Sequence, residues 1–101
     1  MKMPGLDNRK ALVPAGQTEG ALHEAYRVIV FNDPAIRKSY AAMVLARVFH
    51  FPDAVAREHM LQIHRAGLAV VWQGARELAE AHVLALQHWH LLARLECDET
   101  N

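Results

Sequence analysis

The chain has 101 residues, 52% of them hydrophobic and 22% charged, and its eleven Lys and Arg balance eleven Asp and Glu. That length fits one compact domain. The single Cys97 excludes an internal disulfide framework and fits a reducing cytoplasmic setting, while zero net charge argues against a general nucleic-acid binder. No apolar run approaches the roughly 20 residues that span a bilayer, so no membrane partner is expected. Met1-Lys2-Met3-Pro4-Gly5 leads into polar residues, unlike an apolar secretory segment.

Residues 1–24 hold three of the five Gly and two of the four Pro, with no sustained apolar period. They are expected to form a flexible tail, followed by a folded domain over 25–98 and a short tail over 99–101. Tyr26 to Phe31 is rich in β-branched and aromatic residues and stops at Asn32-Asp33-Pro34, which reads as a buried strand closed by a turn. Ile36, Tyr40, Met43, Val44 and Leu45 then recur at helical spacing up to about Phe49. Either Asp33, with Pro34 at the first helical position, or Ser39 is expected to cap that helix.

Phe51-Pro52-Asp53 breaks the pattern, and Asp53 is the expected cap of a second helix through Ala56, Met60 and Ile63 that ends at Gly67. Leu68 to Trp72 reads as a second strand. Gln73-Gly74 reads as a turn into a third helix from Ala75 to about Trp89, and Leu91 to Cys97 as a last strand with Leu91, Ala93 and Leu95 on one face. The order strand-helix-helix-strand-helix-strand predicts an α/β fold: a small two-layer sandwich with a three-stranded antiparallel sheet packed against three helices.

Catalytic chemistry is poorly supported. Ser39 is the chain's one serine and has no nucleophile-elbow glycines around it. Cys97 near the end of an apolar strand reads as a buried thiol, and no glycine-rich phosphate loop is present. Seven His are present, and His82, His88 and His90 offer neutral imidazoles suited to zinc or nickel. The usual structural-zinc Cys/His spacing is missing, however. The more pointed set is Asn32, Asp33 and His64, all hydrogen-bond acceptors able to hold an ammonium group with its three donors. Spacing alone favours a turn Asn, a capping Asp and an ordinary helical His.

Three segments in order resemble the ClpS adaptor family. Tyr26-Arg27-Val28-Ile29-Val30-Phe31-Asn32-Asp33 is similar to its "Y-K-V-I-L-x-N-D-D" strand. Val44-Leu45-Ala46-Arg47-Val48-Phe49 is similar to its "V-L-x-x-F-F" helix, and Met60-Leu61-Gln62-Ile63-His64-Arg65-Ala66-Gly67 to its "M-L-x-V-H-x-x-G". The spacing from Asn32 to His64 and Gly67 matches without a gap. Ala79-Glu80 and the final strand Leu91 to Glu96 extend the likeness, which covers about residues 25–97.

The resemblance implies a cytoplasmic, non-enzymatic adaptor without cofactor. It would bind proteins whose first residue is Leu, Phe, Tyr or Trp and deliver them to the ClpA unfoldase of the ClpAP protease. It places the ammonium site on Asn32, Asp33 and His64, and the side-chain pocket on Ile36, Lys38, Ala41, Met60, Ile63 and Leu91. It places unfoldase docking on Glu77 and His82, with help from the tail.

This chain departs from the pattern at Pro34, where the family has a second Asp, and at Ile36, where a Thr helps hold the ligand backbone. Lys38 replaces a gating Met, and His82 replaces a docking Lys. Arg37 and Lys38 put two positive charges beside an ammonium site. They oppose the ligand's own charge and favour acidic residues after its first. A second reading keeps the fold and docks on an unfoldase or another partner without recognising N-terminal residues. A third places a metal at His82, His88 and His90.

Overall fold

The computed structural model describes residues 25–98. Six elements follow in the expected order: β1 (Ala25–Phe31), α1 (Lys38–Phe49), α2 (Asp53–Ala66), β2 (Leu68–Gly74), α3 (Arg76–His88) and β3 (Leu92–Asp98). The strands form one antiparallel sheet in the order β2-β1-β3, so the first strand lies in the centre. Its β-branched run suits that place, because a central strand is flanked on both sides and fills both faces. The tails expected over 1–24 and 99–101 lie outside the described residues.

One face of the sheet carries the helices. Val28 and Val30 of β1 and Ala69 and Val71 of β2 point into a common core. Each helix meets them with an apolar stripe: Val44 and Leu45 from α1, Ala56, Met60 and Ile63 from α2, and Ala79, Val83 and Leu86 from α3. The last two sets follow the i, i+4, i+7 spacing that places residues on one side of a helix. The opposite sheet face is lined by Ile29, Phe31 and their cross-strand partners Leu68, Val70, Leu92 and Arg94. Ile29 is only 6% exposed there.

Several boundaries differ from expectation. Neither Asp33 nor Ser39 caps α1, which starts at Lys38 after Arg37 with no side-chain cap. Asp33 instead closes a turn: its carbonyl accepts the Ile36 N–H at 2.9 Å and its Oδ1 accepts the Ala35 N–H at 3.0 Å. Pro34 occupies the second position of that turn, where its fixed φ suits it as well as it would suit a helix start. Pro52, not Asp53, precedes α2, and Asp53 is the first helical residue, where its charge still favours the helix dipole. β2 runs through the expected turn at Gln73-Gly74, which pairs with Arg27 and Tyr26. A register shift between Val28 and Ile29 accommodates the extra length. Gly74 is required there because a Cβ would lie 2.5 Å from the Trp72 ring.

α3 ends in a Schellman motif that also sets the start of β3. His90 adopts a left-handed φ of 71°. Its N–H donates to the Gln87 carbonyl at 2.9 Å, and the Leu91 N–H to the Leu86 carbonyl at 3.0 Å. Leu91 thereby precedes the strand instead of opening it, but it is buried, as is Leu86. The Tyr40 hydroxyl donates to the Trp89 carbonyl at 2.8 Å and ties α1 to this corner. Cys97 is half-exposed rather than buried, because β3 is an edge strand. Among the described residues no helix is long and apolar enough to cross a membrane.

Candidate functional site

The carboxyl end of β1 meets the ends of α2 and α3 at one place. The Asn32 N–H donates to the Gly67 carbonyl at 2.9 Å. Gly67 itself ends α2 in a left-handed conformation, φ 90°, with its N–H on the Ile63 carbonyl at 2.9 Å. This conformation is cheap for glycine and strained for residues with a Cβ. The reversal carries the chain straight from α2 into β2. It also sets His64, three residues before Gly67, beside the strand end that bears Asn32 and Asp33.

These three residues border a cleft together with Ile36, Lys38, Ala41, Met60, Ile63 and Leu91. The structure thus brings together every residue that the sequence pointed to for ligand binding. Val30, Phe31 and Leu92 also line the cleft. The sequence did not single them out, and their signal was adjacency to the strand ends. Met60, Ile63 and Leu91 are buried and form its apolar floor, while Asn32, Lys38 and His64 are exposed at its rim. The enclosed space is small, about 30 Å³, roughly that of one or two water molecules. Met60 and Lys38 on its wall are long and unbranched, so widening it is cheap.

The acceptor inventory at the rim is well defined. Asp33 commits Oδ1 to the Ala35 N–H and keeps its second oxygen for another donor. Asn32 spends its backbone N–H on Gly67, leaving the side-chain amide free to accept through its oxygen. A neutral His64 adds one imidazole nitrogen. An ammonium group placed here would meet up to three acceptors, one of them charged.

Glu77 and His82 lie five residues apart on α3, about 140° apart around its axis. Glu77 is exposed in the first turn. His82 is half-buried, its ring 4.7 Å from both Phe49 and Trp72. The ring series continues through Phe51, 5.2 Å from Phe49, to His59, 5.0 Å from Phe51. The His59 Nδ1 is buried without a hydrogen-bond partner. This packing also removes the metal reading: His82 faces aromatic rings, and among the described residues no group of three or more His, Cys, Asp or Glu gathers as a metal site.

Burial lowers the pKa of His82 and, against the opposing charge of Glu58, that of His59. The fold therefore favours the neutral form of both imidazoles, whereas the unfolded chain takes up protons at the ordinary histidine pKa. Stability is thus fully present above the ordinary histidine range and is lost as pH falls through the lowered folded values. The melting temperature should fall as pH is lowered from about 7.5 to about 5. Replacing both His59 and His82 by Gln should flatten that slope. A slope unchanged in the double variant would assign the acid sensitivity elsewhere.

The family model described as "ATP-dependent Clp protease adaptor protein ClpS" matches residues 21–93. The chain belongs to the ClpS family. It is 33% identical over 95 residues to the Mycobacterium tuberculosis ClpS adapter, covering 94% of this chain and 90% of that one. With the Streptomyces avermitilis ClpS adapter the identity is 39% over 70 residues, covering 69% of this chain and 67% of that one. Among solved structures, Agrobacterium tumefaciens ClpS2 bound to L-phenylalaninamide superposes with a TM-score of 0.70 at 27% identity. That match covers 75% of this chain and 99% of that one. ClpS proteins are adaptors of the Clp protease, and the strand order and helix placement described above are those of the ClpS fold.

Proposed function

We propose that this chain is a non-catalytic cytoplasmic adaptor that binds proteins by a bulky apolar first residue and its free α-amino group. It then delivers them to a ClpA-type unfoldase-protease. The observation that carries this reading is the gathering of Asn32, Asp33 and His64 at the rim of a cleft whose floor is Met60, Ile63 and Leu91. An α-ammonium supplies three donors and one charge to those acceptors, and the adjacent side chain enters the apolar floor. The ligand of the ClpS2 relative, L-phenylalaninamide, has both features: a free amine and a bulky apolar side chain. Glu77 and His82 remain the proposed docking positions, and the half-buried His82 offers an uncharged aromatic surface there in place of a cation.

A second reading keeps the docking and drops the cargo. It is favoured by Ile36, which offers no side-chain hydrogen bond, and by the narrowness of the cleft. Titration of the full chain with fluorescent peptides beginning with Leu, Phe, Tyr or Trp separates the two. The adaptor reading predicts dissociation constants of about 1 µM or below for at least one of them, and no saturation for peptides beginning with Ser. Recovery of the unfoldase in a pull-down, with no saturation by any of the peptides, would select the second reading.

A further inference from the structure

The cleft opens into two hollows. Ile36 is a wall shared with the first, which Arg37, Tyr40 and His90 continue. Phe31, Leu91 and Leu92 are shared with the second, which Gln87 and Arg94 continue. Among the described residues, no carboxylate lines either hollow. Arg37 lines one, Arg94 the other, and Lys38 lines the cleft itself. None of the three forms an ion pair among the described residues. The Arg94 guanidinium carbon lies over the Phe31 ring, 5.1 Å from its centroid.

Among the described residues Asp33 is the one carboxylate lining the cleft, and an α-ammonium bound there would offset its charge. Three cations would then remain uncompensated along both ways out. We infer that the preferred cargo carries acidic residues directly after its apolar first residue, and that Arg37, Lys38 and Arg94 select them. This rests on the reading that the cleft takes a free N-terminus, and it adds the class of sequence that follows. The same charges repel a basic second or third residue, so discrimination comes from both attraction and repulsion. All three cations lie near the surface, so the preference is screened by salt.

The test uses the full chain and three peptides identical except after an N-terminal Leu, where they read Asp-Glu, Ser-Ser or Lys-Lys. At about 50 mM salt the acidic peptide should bind about 3- to 10-fold more tightly than the neutral one and the basic peptide correspondingly more weakly; at about 0.5 M the gap should close. The double variant Arg37→Glu, Arg94→Glu should reverse the order. Equal affinities for the three peptides in the unaltered chain, or an acidic preference that survives the double variant, would overturn the inference. An N-acetylated copy of the neutral peptide separates the levels. If the neutral peptide fails to bind, or binds equally well when acetylated, the underlying reading of the cleft falls. If only the charge series is flat, that reading stands and this inference alone fails.

Discussion

Replacing Asp33 by asparagine is expected to weaken binding of a leucine-first peptide by about 10- to 100-fold, the range for losing one charge-assisted bond at a partly exposed site. The substitution isolates electrostatics from folding. Asparagine keeps an Oδ1 that accepts the Ala35 N–H now held at 3.0 Å, so the turn before α1 is retained. What disappears is the negative charge that faces the ligand's ammonium and balances Arg37 and Lys38 nearby. The ammonium would then enter a net positive environment with only neutral acceptors. Calorimetry or anisotropy measures the loss, and an unchanged melting temperature shows that it is not structural. An affinity within about 2-fold of the original would remove Asp33 from the ligand site.

The largest expected effect on stability is that of Leu45→Ala. Leu45 is fully buried, with 0% exposure, in the core that α1 shares with the sheet and the other helices. Truncating such a side chain loses its transfer free energy and leaves a cavity, costing about 2 to 5 kcal/mol. A domain of this size is stabilised by only about 5 to 10 kcal/mol in total. The melting temperature should therefore fall by roughly 10 to 25 °C. Leu84→Ala on α3 is the matched control, since Leu84 is 66% exposed. Its cost should lie within about 0.5 kcal/mol of zero. Chemical denaturation of both variants checks the contrast, and similar losses in the two would contradict this placement of the core.

Much of the architecture was legible because hydrophobic period and element type agree along the chain. The stripes at Ala56, Met60, Ile63 and at Ala79, Val83, Leu86 have a helical period, and the β-branched run of β1 is that of a central strand. The boundaries that differed have local physical reasons. Asp33-Pro34 carries the signature of a helix start and of a turn alike, and the turn took it because the Ile36 N–H reaches the Asp33 carbonyl. Gln73-Gly74 looks like a turn, yet it extends β2, since Gly74 alone leaves room for the Trp72 ring.

The site was legible in part. Asn32, Asp33 and His64 are linked by no local period; they converge through the Asn32–Gly67 hydrogen bond and the glycine reversal. Their shared acceptor chemistry made them a candidate set, and the likeness to ClpS motifs placed them at one site in advance. The place of His82 between Phe49 and Trp72 depends on three separate elements, and nothing near it in the sequence signalled that packing. Arg94 escaped attention for the same reason. It is brought toward the cleft by the pairing of β3 with β1, which sets Arg94 opposite Ile29, two residues from the Phe31–Leu92 pair at the sheet's end.

The central claim is that the cleft recognises a free amino terminus, and one comparison tests it most directly. A peptide beginning with Leu or Phe is titrated into the full chain beside the same peptide with an N-acetyl group. Acetylation removes the positive charge and two of the three donors while leaving the side chain untouched. The free peptide should bind at about 1 µM or tighter, and the acetylated one at least about 100-fold more weakly. Equal affinities for the two would contradict the account.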